Sequence, residues 1–187
     1  MNPELNQDHA TIIKDTQNWL EKAVIGLNLC PFAKAVQIKN QIRYVVSDAT
    51  SAEALLADLL RELQLLYDSD AELLDTTLLI HPAVLTDFLD YNDFLDVADA
   101  AAAEPEFDEQ LQIASFHPQF QFADTAVDAI ENYTNRSPYP LLHLLRETSV
   151  TRAVAVFPQA EQIYQKNIET LRQLGHAGWQ QLFAKPA

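Results

Sequence analysis

Glycine is scarce in this chain of 187 residues: there are three, Gly26, Gly175 and Gly178. Loops that cradle phosphate need several glycines, so that backbone N–H groups can approach the anion closely. Neither a P-loop nor a Gly-rich dinucleotide fingerprint is present, which disfavours the commonest ATPases and nicotinamide-dependent dehydrogenases. Cysteine is scarcer still. Cys30 stands alone, so no intramolecular disulfide forms, as suits a reducing compartment. Basic residues are few as well: 12 Lys and Arg face 27 Asp and Glu, for a formal charge of −15. A field of that sign repels nucleic-acid backbones and anionic lipid surfaces, and no basic stripe offsets it. Long apolar runs are missing: nothing approaches the ~18–20 residues of a membrane span. Residues 1–10 are polar and do not resemble a signal peptide. The expectation is a cytoplasmic protein with no nucleic-acid or membrane partner.

What is present is a normal globular balance, 48% hydrophobic and 21% charged, in a length that suits one domain. We expect a single domain over 1–187, with its core at about 11–175 and a frayed tail after 179. A helix is expected from Thr11 to Asn28, where Ile12, Ile13, Thr16, Leu20, Ala23, Val24 and Leu27 form one stripe. Pro31 disfavours helix at Cys30 and can open a new short turn. Ile42–Val46 reads as a strand after a turn at Lys39-Asn40-Gln41. Ser51 caps a helix through Tyr67, and Asp75–Ile80 is a second strand ending at His81-Pro82. A helix capped by Thr86 carries Phe88, Tyr91, Leu95, Ala98 and Ala102 on one face. Leu111–Phe116 is a third strand, ending at His117-Pro118. Helices are expected over Pro140–Phe157 and Gln159–Leu174, with Gly175 as a C-terminal cap. The alternation predicts an α/β fold: a small, mainly parallel sheet of three or four strands, an N-terminal helix and a helical C-terminal third.

Ligands of open parallel sheets gather beyond the carboxyl ends of the strands, where both His-Pro steps fall. Two imidazoles there can converge on one metal or substrate, or each can simply close its strand. Cys30, at a proline-broken junction with Lys34 nearby, suits a thiolate nucleophile or metal ligand; its bland alternative is a small buried hydrophobe. Cys30, His81 and His117 are thus the candidate catalytic residues and the candidate metal ligands, zinc being the cofactor such a set would hold. There is no CxxC and no HExxH. Asn135, Arg136 and Ser137 in a polar loop, with His143 and Arg146 at i,i+3 on the following helix, are candidate substrate-binding residues for an anionic small molecule. Arg136 could equally hold the loop down by pairing with a carboxylate. Asp87, Asp90, Asp93, Asp96 and Asp99 spiral around their helix and read as a solvated face, with Asp90 and Asp93 as outlying metal candidates.

Several segments resemble a bacterial protein family of unknown function. They are Trp19-Leu20-Glu21, Gly26-Leu27-Asn28-Leu29-Cys30-Pro31-Phe32-Ala33, Thr77-Leu78-Leu79-Ile80-His81-Pro82 and Tyr91-Asn92-Asp93-Phe94-Leu95-Asp96. Ser115-Phe116-His117-Pro118, Asn135-Arg136-Ser137-Pro138-Tyr139-Pro140 and His143-Leu144-Leu145-Arg146-Glu147 complete the likeness, which spans roughly Trp19 to Gly178. It implies no activity and assigns no catalytic residue. The residues themselves point to a small-molecule enzyme, with a hydrolase as the expected kind, built on Cys30, His81 and His117. The rival reading is a non-catalytic ligand- or partner-binding protein whose motifs lock its loops.

Overall fold

The computed structural model describes residues 8–156 and 162–184. Helix α1 (His9–Trp19) runs directly into a π-helical stretch (Leu20–Ile25), followed by the short α2 (Ala33–Ile38). Then come β1 (Ile42–Val46), α3 (Ala52–Asp68), β2 (Thr76–Ile80), α4 (Phe88–Ala102) and β3 (Leu111–Phe116). A 3-10 segment (Ile130–Thr134) precedes β4 (Leu141–Arg146), α5 (Glu147–Val156) and α6 (Ile163–Phe183). No helix among the described residues is long and apolar enough to cross a membrane.

The four strands form one sheet in the order β1-β2-β4-β3. The fold is α/β as expected, but the sheet is not mainly parallel. Only β1 and β2 pair in parallel, whereas β4 pairs antiparallel with both β2 and β3. The cause is β4, where a helix over Pro140–Phe157 was expected. Leu141–Arg146 is instead extended and occupies the slot between β2 and β3; α5 begins only at Glu147. Phe157 and Gln159 lie outside the described residues.

Two apolar clusters sandwich the sheet. On one face Leu55, Leu59, Leu63 and Leu66 of α3 and Tyr91, Phe94 and Ala98 of α4 meet Leu79, Leu142 and Leu144. On the other, Ile12, Trp19, Leu20, Ala23 and Val24 meet Leu78, Ile80 and Leu141, with Trp179 and Phe183 packed against them. Burying a leucine fully stabilises by roughly 1.5–3 kcal/mol, so this paired core rather than local propensity holds the helices. Helix α6 continues past Trp179 to Phe183, and both residues pack against this second cluster. Gly175 leaves helical geometry, at φ 64° and ψ 173°, so the first helical piece of α6 ends there as expected and a second piece continues beyond the kink. Ser51 caps α3 as expected, its hydroxyl accepting the Ala54 N–H at 3.2 Å. The cap of α4 is Asp87, not Thr86: the Asp87 carboxylate accepts from Leu89 and Asp90 N–H.

The π-helical stretch explains one of the three glycines. Gly26 N–H donates to Glu21 O and Leu27 N–H to Ala23 O, a ladder that steps over the Lys22 carbonyl. That carbonyl sits where a side chain would start: a Cβ on Gly26 would lie 2.3 Å from Lys22 O. Backbone cannot yield as a flexible side chain does. Gly26→Ala should cost roughly 1–3 kcal/mol, the usual range for overpacking, read as a lowered urea midpoint; an unchanged midpoint would mean that the π turn relaxes freely.

Candidate functional site

Register fixes the two His-Pro steps. Leu141 at the start of β4 lies opposite both Ile80 and Phe116, so His81 and His117 flank it one residue beyond, on the same edge of the sheet. With β4 between their strands, the two backbones are about 10 Å apart. Tyr91 of α4 fills that space. Its ring stacks on His81 at 5.7 Å between centroids and meets His117 at 5.0 Å. Phe88 adds a further contact to His117 at 5.5 Å. The Tyr91 hydroxyl donates to Leu141 O at 2.9 Å and accepts Phe116 N–H at 3.1 Å, tying the ends of β3 and β4. Tyr91→Phe would strand both main-chain groups; each buried group left unpaired costs about 1–3 kcal/mol. We expect a fall of several degrees in the thermal midpoint with the fold intact, and no fall if water reaches both groups.

Both imidazoles are fully buried and held neutral. His81 Nδ1–H donates to Val84 O at 3.0 Å. Its Nε2 is buried and has no partner among the described residues. Burial, with a contribution from neighbouring His117 and against the pull of the Val84 carbonyl, lowers the His81 pKa to about 4. His117 accepts Gln119 N–H at Nδ1, at 3.0 Å, and donates from Nε2 to Leu85 O at 3.2 Å, which fixes its tautomer. Burial also lowers the His117 pKa, against the pull of the Leu85 carbonyl and the Asp87 carboxylate.

Cys30 is not brought to these histidines. It is half-buried and packs against the Trp19–Leu141 cluster, on the opposite face of the sheet from Tyr91. Burial raises its thiol pKa, outweighing the Phe32 and Ala33 N–H groups that favour thiolate. Among the described residues no group of three or more His, Cys, Asp or Glu side chains is arranged to hold a metal ion. The expected Cys30/His81/His117 zinc set is therefore not assembled, and Asp90 and Asp93 have no such neighbours either.

The residues expected to grip an anion are engaged within the protein, all but His143 with main chain. Arg136 donates to Phe120 O and Val127 O at 3.1 and 2.6 Å, with its guanidinium 4.5 Å from the centre of the Tyr133 ring. Asn135 donates to Ser115 O at 3.0 Å, and Ser137 to Tyr139 O at 2.6 Å. His143 and Arg146 were expected on one helix face. On strand β4 a separation of three residues sends them to opposite faces. His143 Nε2 meets Thr76 Oγ1 at 2.6 Å, while that hydroxyl donates to Leu144 O. Burial lowers the His143 pKa to about 4. Arg146 donates to the carbonyls of Leu66, Ser69 and Leu74, closing the C-terminal end of α3.

A concave site lies elsewhere, and spacing in the sequence did not reveal it. A cleft of about 330 Å³ runs between the turn after the π-helical stretch and α6, lined by Leu27, Asn28, Pro31, Asn167, Thr170 and Gln173 among others. Asn28 holds a left-handed φ of 55°, a conformation uncommon outside glycine. Asn167 is 5% exposed and donates from Nδ2 to Leu29 O at 2.9 Å, binding α6 to the turn. The one local signal was Gly26-Leu27-Asn28, a turn-forming step at a helix end; its partner helix lies about 140 residues away.

A family model described as a protein of unknown function matches residues 11–181. No curated protein matches the chain, and no solved structure does.

Proposed function

We propose that this chain, which belongs to the family of proteins of unknown function DUF1415, is a non-catalytic binding protein for a small ligand, held in the cleft between the 27–31 turn and α6. One observation carries the reading. The polar side chains that the motifs supply are spent on backbone: Arg136, Arg146, Asn135, Ser137 and both strand-end histidines each hold a main-chain group. A catalytic group must reach a reacting atom, and these side chains are held by carbonyls and amides of the protein's own backbone. The cleft, at about 330 Å³, falls at the small end of the ~300–1,000 Å³ range of ligand sites. A π-helical stretch beside it adds weight, since such irregularities recur at functional sites.

Ligand-observed NMR with a mixture of small metabolites tests the proposal. A bound compound should be recovered chemically unchanged after prolonged incubation, and Thr170→Trp, which fills the cleft, should abolish its signal. Conversion of that compound to a product would overturn the non-catalytic reading. Binding unaffected by Thr170→Trp would overturn the location.

A further inference from the structure

We infer that the cleft recognises a primary ammonium group, with the amide oxygen of Asn167 as its principal acceptor; this rests on the binding role proposed above. Leu29 O can only accept, so the Asn167 atom facing it is Nδ2, and the amide oxygen points the other way. That oxygen has no protein partner among the described residues, and it is not among the sealed, unpartnered buried atoms. Since Asn167 lines the cleft, the cleft is where this acceptor is open. Water meets this oxygen in the open cleft, and only a ligand group that donates can replace that water without losing the hydrogen bond.

Thr170 and Gln173 follow Asn167 along α6 and line the same cleft. No protein hydrogen bond engages either side chain among the described residues, and each supplies a further oxygen. An ammonium carries three donors and no acceptor, matching three oxygens. Lys166 and Glu169 on the rim contribute one charge of each sign, leaving the local balance near neutral. The wider field is set by the net charge of −15, which concentrates cations and repels anions. An anionic ligand would face that field without the arginines expected to hold it, because both are engaged by carbonyls.

The test is titration of the ¹⁵N-labelled full chain with three probes of one shape: n-butylammonium, n-butanol and butyrate. The expected result is saturable shifts at the amides of Asn28, Asn167, Thr170 and Gln173 with butylammonium, at least ten-fold tighter than with the other two. Thr170→Trp should weaken the response at least ten-fold while leaving signals from the sheet in place. Asn167→Leu should do the same; because it also releases Leu29, the Thr170 variant guards against loss of fold. Shifts at these amides with butanol or butyrate but not with the amine would overturn the ammonium assignment and leave the cleft as a binding site. No shifts there with any probe, nor with any compound found to bind the chain, would overturn both.

Discussion

Replacing Arg146 by methionine is expected to destabilise the protein by about 3–5 kcal/mol, the range for removing one partner of a buried charged network. The guanidinium donates to Leu66, Ser69 and Leu74 carbonyls at once. Leu66 lies in the last turn of α3 and Ser69 is its C-cap, so two of these are among the orphan carbonyls every helix end presents. A cation there also meets the negative end of the helix dipole. Methionine fills similar volume but donates nothing, leaving three carbonyls without their donor. Lysine should recover part of the loss, since it keeps the charge but lacks the planar fork that reaches several oxygens. Urea unfolding monitored by circular dichroism gives the answer. A methionine variant within 1 kcal/mol of the parent would show that water replaces the arginine.

Acidification should begin to destabilise the protein before its carboxylates protonate. His81 sits near pKa 4 in the fold against an ordinary 6.5, and His143 is lowered likewise. The unfolded chain therefore takes up protons first as pH falls below about 6.5, and the folded chain does not follow until about 4. Stability is present above 6.5 and is lost progressively between those limits. For His81 alone the loss is on the order of 3 kcal/mol, at about 1.4 kcal/mol per pH unit. The lowered pKa values of His143 and His117 act in the same direction. Against a total stability of about 5–15 kcal/mol, the sum is large. Thermal midpoints measured from pH 7.5 to 4.5 should fall steeply below 6.5. His81→Asn, whose amide can still donate toward Val84, should flatten that slope; an unchanged slope would exclude His81 as its source.

Three strands were legible because each is a short apolar run, rich in β-branched residues or bounded by turn formers. Ile42–Val46 and Leu111–Phe116 match the expected spans, and Thr76–Ile80 differs by one residue. The fourth was not. Leu141-Leu142-His143-Leu144-Leu145-Arg146 is leucine-rich, and leucine is a strong helix former. The alternation that betrays a strand is missing because β4 is central and apolar on both faces. Pairing with two neighbours overrode propensity, and the error carried into the site: His143 and Arg146 were put on one face and lie on two. Residue spacing likewise located the His-Pro steps at strand ends but could not say which face of the sheet Cys30 would occupy. Arg136 does pin chain segments, but through the Phe120 and Val127 carbonyls and not through the carboxylate expected.

The position of β4 also dictates the order in which the molecule can be completed. Thr76 of β2 pairs with Leu145, and β3 touches the rest of the sheet only through β4. As the chain emerges from a ribosome, β1 and β2 can pair early, but β3 has no seat until residues 141–146 arrive. Until then two strand edges destined for the centre of the sheet remain open. Such edges are templates for other chains, and contacts of this sequence separation form slowly. A chain ending before Leu141 would keep every helix from α1 to α4 and still lack the strand that joins its halves, so truncation there should yield aggregate instead of a smaller folded protein.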